Sequence, residues 1–223
     1  MPPFDPEKFL SEPIYALDFG FMIGDVEDFL EFTESNVEWQ FKREMLSIQR
    51  QAETEQFEPG YREHLEANAE HRFKVSLPLR VRYAALVALI TSVEWSLVTL
   101  IDRLKDPLSK KPEKTNGTVH ALRELESRLA MGANQLISEF EALVRVRDCI
   151  VHSAGLERHY KFKAQLPEFL SRIRGIYLGS WNFLGKHICI DRGALNQYIS
   201  GLAHHVTALH EACHKKGLLN EDR

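Results

Sequence analysis

Apolar residues recur at helical spacing along most of this chain and switch to near-alternation in one short stretch. Phe29, Phe32, Val37, Phe41 and Met45 mark one face of a long polar helix over about 26–56, which Glu58-Pro59-Gly60 interrupts. A short helix over 61–71 follows. Ser76-Leu77-Pro78 opens the most apolar helix, predicted to run to 104, with proline early, where its missing N–H costs little. Asp106-Pro107 ends it. Further helices are predicted over 118–130, over 135–152 with Leu136, Ile137, Phe140, Leu143 and Val144 inward, and over 191–216. The last carries the stripe Leu195, Tyr198, Leu202, Val206 and Leu209 and stops at Gly217. Residues 175–191 alternate and read as a small β-hairpin or irregular arm. Residues 1–20, rich in proline, are expected to be irregular. The pattern predicts an all-α chain: an N-terminal helical extension over 1–75, then a helical domain over 76–223 with a small β-hairpin arm.

Composition narrows the function classes. The chain has 223 residues and a net charge of −4, so no global field draws it to nucleic acid, and only a local phosphate site remains open. Cys149, Cys189 and Cys213 are odd in number and far apart. They argue for a reducing, cytoplasmic setting and against a disulfide framework. The opening Met-Pro-Pro-Phe-Asp-Pro carries no basic start or apolar core, so no secretory signal is expected. The apolar stretch from 83 to 101 contains Glu94 and is flanked by Arg80, Arg82, Asp102 and Arg103. That pattern predicts a buried helix and no membrane partner.

Candidate chemistry concentrates in Arg147-Asp148-Cys149-Ile150-Val151-His152-Ser153-Ala154-Gly155, at the end of a predicted amphipathic helix. A histidine that moves a proton and an arginine that neutralises phosphate charge suffice for phosphodiester cleavage without metal. Asp148 and His152 are four apart and share a helix face, so Asp148 is expected to orient the imidazole. Arg147 and His152 are five apart, about 140° around the axis. Both stand off the core stripe, so replacing either should barely affect folding.

This run resembles the signature of the HEPN superfamily: an arginine, a polar residue directly after it, and a histidine that follows the arginine after four to six intervening residues. Arg145 also falls within that spacing of His152, but Val146 follows it, so Arg147 fits better. The resemblance implies an all-helical, often dimeric endoribonuclease that needs no cofactor or metal. Many relatives act in toxin–antitoxin or antiphage systems, which would make a cognate antitoxin a partner. It also implies a polar or acidic residue from an earlier core helix, a place for Ser92 or Glu94. A homodimer would bring two copies of Arg147 and His152 around one phosphate, and RNA would be cleaved by its own 2′-OH. The alternative is a non-catalytic HEPN-like module that binds a nucleotide or a protein.

Two further patterns bear on the choice. Beyond the motif, Arg158, His159, Lys161 and Lys163 interleave with Tyr160 and Phe162, as in segments that track a nucleic-acid backbone and stack bases. Arg145, Arg158, Tyr160 and Lys161 are therefore candidate RNA contacts, with an ordinary polar loop as the bland reading. Lys110, Lys111 and Lys114 read as a solvated loop, with an RNA-backbone contact as the sharper alternative. His210-Glu211-Ala212-Cys213-His214 matches the HExxH zinc-protease pattern. Asn220 stands where a third ligand would be, and lysines follow the second histidine, so an ordinary helix face is expected instead.

Overall fold

The structure, a computed structural model, describes residues 14–54, 57–113, 115–181 and 185–220. Helices α1 (Ile14–Thr54), α2 (Tyr61–Glu70), α3 (Leu77–Asp102), α4 (Gly117–Leu129), α5 (Asn134–Ser153), the short α6 (Leu166–Leu170) and α7 (Asn196–Lys215) account for most of it. Among the described residues, strand forms one antiparallel pair, β1 (Ile176–Trp181) and β2 (Gly185–Ile190), where alternation predicts it. The all-α character read from the periodicity is observed.

The core is built on α3. Ala85, Leu86, Leu89, Ile90 and Val93 are fully enclosed, and each large one contributes about 1.5–3 kcal/mol by leaving water. Leu122 and Leu125 of α4, Phe140 and Leu143 of α5, and Val206 and Leu209 of α7 close around them. Helix α1 joins this same cluster through Ile23, Val26 and Leu30. Its other half packs Ile48 against Ala69 and Phe73 in a second, smaller cluster.

Helix α1 starts at Ile14, so residues 14–20 are helical and not irregular as expected; residues 1–13 lie outside the described residues. Helices α2 and α3 are joined by a π-helical turn over His71–Ser76, in which the Leu77 N–H reaches back to the Arg72 carbonyl. Proline inside a continuous helix crowds the carbonyl four residues earlier and removes a donor. The wider turn just before Pro78 absorbs both effects, which is why this proline does not begin a separate helix. Helix α7 begins later than expected. Gly193 adopts φ +74° and the Ala194 N–H bonds Asp191 O, forming a turn first. The lysine loop is folded onto α4: Glu124 accepts from the Ser109 N–H (2.8 Å), and Arg128 donates to Pro107 O (2.7 Å). Lys110 and Lys111 are exposed, and Lys114 lies outside the described residues.

The Tyr61–Asp102 helical run contains a stretch apolar enough in length and composition to cross a membrane, with mean hydropathy 1.9. Half of that stretch is buried inside the protein.

The hairpin is pinned against the end of α5. The Ile188 N–H donates to Gly155 O (2.9 Å), and the Tyr83 hydroxyl donates to Ile188 O. Arg82 Nη1 donates to Ile190 O (2.9 Å). Helix α5 ends with Ala154 and Gly155 both left-handed, at φ +51° and +78°, and the Gly155 N–H returns to Cys149 O (3.1 Å). A side chain at 155 would also strike the Tyr83 ring. Gly155→Ala is therefore expected to destabilise the protein by at least about 1–2 kcal/mol, the cost of the left-handed backbone alone. Urea unfolding checks this, and a change under about 0.5 kcal/mol, the range of an ordinary surface substitution, would contradict it.

Candidate active site

Helix α5 delivers the motif residues to different sides. Its last two turns bury Val146, Cys149 and Ile150, and the residues between them must emerge on the flanks. Arg147 leans toward α3, where Nη2 donates to Glu94 Oε1 at 2.7 Å. Its Nε lies 3.3 Å from Asp148 Oδ1, close enough for attraction but outside hydrogen-bond direction. Thr118 of α4 donates to the same Glu94 oxygen at 3.4 Å. Arg147 and Glu94 are mostly buried, their side chains 20% and 27% exposed. The guanidinium thus bridges α3 and α5, with a carboxylate on each side of it.

His152 is exposed in the last turn, and among the described residues it takes no hydrogen-bond or ion-pair partner. Asp148 does not orient it as expected, because Asp148 faces Arg147. Ser92 is buried and donates to Ala88 O of its own helix at 3.0 Å. Of the two residues considered on the earlier helix, only Glu94 meets the motif. Between Arg147 and His152, burial pushes the Cys149 thiol up to about 11, which keeps it protonated and unreactive.

The segment after the motif forms a second cluster on α5. Tyr160 is buried at 5% exposure, so it cannot stack a base, and its expected RNA contact is corrected. Burial raises its hydroxyl pKa; Asp148 adds to the rise and Arg145 opposes it. The accessible ring is Phe162. Arg145 stacks over it with 5.3 Å to the ring centroid, and Lys161 with 5.4 Å. Arg145 also lies 5.5 Å from the Phe169 centroid, and Arg172 lies 4.7 Å from it. Arg158 is exposed and donates to His159 Nε2 (3.0 Å). The interleaved pattern marked this segment, but not which of its two aromatics would face inward. Nothing near 147–152 in sequence pointed to Phe169 or Arg172.

The HExxH pair divides between core and surface. His210 is 1% exposed and pairs with Ser96 Oγ of α3 at 2.9 Å, whereas His214 is exposed. The first histidine is thus a core residue and not part of an ordinary surface face. Burial, reinforced by Arg103, lowers its pKa to about 4. Among the described residues, no group of three or more His, Cys, Asp or Glu is placed to hold a metal ion. His205 and Glu126 form a second buried pair, 3.2 Å apart, and Glu126 Oε2 also accepts the Ala133 N–H at 3.2 Å where α5 begins.

No protein-family model matches this chain, no curated protein matches it, and no solved structure matches it.

Two outcomes follow from this geometry. The expectation that Arg147 stands clear of the packing fails, because removing it leaves the Glu94 carboxylate half-enclosed without its cation. Arg147→Ala is expected to cost about 1–2 kcal/mol in urea unfolding, while His152→Ala should stay within about 0.5 kcal/mol. The Glu94→Ala/Arg147→Ala double variant should lose less than the sum of the singles; strict additivity would remove the bridge. The second concerns pH. His210 is neutral when folded down to about pH 4, whereas an unfolded histidine binds its proton below about 6.5. Its stabilisation is therefore complete above pH 6.5 and is lost as pH falls toward 4, by about 1.4 kcal/mol for each pH unit crossed on the way down. His205, also lowered by burial, acts in the same direction. His210→Leu should flatten the fall in stability between pH 6.5 and 4; an unchanged slope would contradict the assignment.

Proposed function

We propose that this chain is a metal-independent endoribonuclease of HEPN type with a HEPN-like fold, working on RNA in the cytoplasm. The observation that carries the reading is the Glu94–Arg147 contact. It brings an acidic residue of an earlier core helix to the arginine of an Arg-Asp-x3-His run, an arrangement that many members of the resembled family carry. An exposed, unpartnered histidine one turn further on adds to it.

The chemistry is transesterification. The ribose 2′-oxygen attacks the adjacent phosphorus and the bond from phosphorus to the 5′-oxygen breaks. The 2′-OH proton goes to a neutral imidazole, and the departing oxygen takes a proton from an imidazolium. Products end in a 2′,3′-cyclic phosphate and a 5′-OH. Arg147 stabilises the charge that builds on the phosphoryl oxygens. Glu94 and Asp148 hold the guanidinium in place; its Nε is enclosed beside Asp148, so the donors left for phosphate are the Nη hydrogens that Glu94 does not take. One chain offers a single exposed His152 at this site, whereas the reaction uses a base and an acid. We therefore include a homodimer in the reading, with the C-terminal end of α5 at the twofold axis. A toxin or antiphage role, with a cognate antitoxin, belongs to the same proposal.

A second reading is a non-catalytic module that binds a nucleotide or a protein partner. The double ion pairing of Arg147 favours it, since part of the guanidinium charge is already neutralised.

Mixed RNA incubated in EDTA separates the two. Cleavage should persist in EDTA, and His152→Ala and Arg147→Ala should each lose about a hundredfold or more in rate. Full activity in His152→Ala, or cleavage abolished by EDTA, would leave the binding reading in its place.

A further inference from the structure

We propose that Phe162, with Arg145 and Lys161 against its ring, is a subsite for single-stranded RNA: a base stacks on the ring and the adjoining phosphates meet the two cations. The inference rests on the ribonuclease reading and extends it from the scissile phosphate to the strand beside it.

Position on the helix is the first argument. Arg145 precedes His152 by seven residues, which places both within about 20° of one face of α5 and about 10.5 Å apart along its axis. Arg147 lies on the flank toward α3. A strand with its scissile phosphate at His152 therefore passes Arg145 a nucleotide or two away. Arg145 reaches the Phe162 ring at 5.3 Å from its centroid, and Lys161 at 5.4 Å. Phe162 is 39% exposed, so ring surface remains for a base. Tyr160 meets it edge-on at 5.9 Å, and this buried neighbour fixes where the ring stands.

Charge is the second argument. Among the described residues, Arg145, Arg158, Lys161 and Lys163 have no carboxylate partner, whereas Arg172 on the same side is held by Glu168 and Glu141. The nearby acid Asp148 is engaged by Arg147. A chain with net charge −4 thus places two cations that make no ion pair among the described residues, Arg145 and Lys161, against the half-exposed Phe162 ring. An alternating row of cations and rings suits single strands, because every base has a face to stack and every nucleotide a phosphate. In a duplex the bases are already stacked on one another, so Phe162 would have nothing to take.

The test measures binding in a chain that cannot cleave. With the full-length His152→Ala protein, a labelled single-stranded mixed-sequence oligoribonucleotide is titrated and followed by fluorescence anisotropy. Adding Phe162→Ala should weaken binding by about tenfold or more, and Phe162→Trp should retain it. Lys161→Ala should weaken binding and reduce its salt dependence. Duplex RNA should bind more weakly and be indifferent to Phe162. Thermal melts of the variants control for folding. Equal binding by the Phe162→Ala protein, equal affinity for the duplex, or displacement of the strand by an acidic peptide at equal concentration would overturn the subsite. None of these outcomes touches the cleavage result. If RNA is not cleaved yet binding depends on Phe162, the subsite stands and the nuclease reading falls.

Discussion

Four polar side chains on one core helix hold this molecule in register. Helix α3 carries the centre of the core on one face, and that apolar face alone would let its neighbours slide, since apolar contact has no direction. Arg82 removes that freedom for α1 through Glu34 (2.5 Å) and for the hairpin through Ile190 O. Tyr83 fixes β2 at Ile188, and Ser96 fixes α7 at His210. Glu94 fixes α5 at Arg147. The partners come from four elements, α1, β2, α5 and α7, so α3 acts as the frame on which the motif helix, the hairpin and the N-terminal helix take their positions.

Gly155 shows how that frame reaches the candidate site. The glycine ends α5 one turn past His152, and its carbonyl receives the hairpin while Tyr83 closes over its Cα. The end of the helix is therefore fixed by tertiary contact and not left to fray. His152 itself contributes nothing visible to this packing, yet the backbone carrying it is held from three sides. A proton-transferring side chain that is free to rotate on a fixed backbone can approach a phosphate without rearranging the fold.

Much of this was legible in the sequence because helical burial has a period. Leu136, Ile137, Phe140, Leu143 and Val144 announce α5, Glu58-Pro59-Gly60 announces the break before α2, and the alternation after Gly175 announces the hairpin. Less legible was anything that depends on which polar residue meets which across the fold. Glu94 and Ser92 looked equivalent from their spacing. They lie about 200° apart around α3, and only Glu94 faces Arg147. Tyr160 and Phe162 looked equivalent too, until the turn after α5 sent one inward. Pro78 promised a helix start, and the preceding π turn cancelled that promise. Such choices are settled by neighbours distant in sequence, which no local pattern encodes.

The same geometry bears on the proposed reaction, in which an arginine and a histidine five apart would act on one phosphate. On one α-helix they diverge by about 140°, so a single α5 cannot close both around one small ion. Arg147 turns toward α3 and is held between Glu94 of that helix and Asp148 of its own, and His152 lies on the side of α5 that carries Arg145. A phosphate bridging the two must sit over the helix end, where the chain has already turned away at Ala154 and Gly155. In the proposed homodimer, a second copy of the same helix end would supply the further imidazole and guanidinium that one α5 cannot bring to the same phosphate.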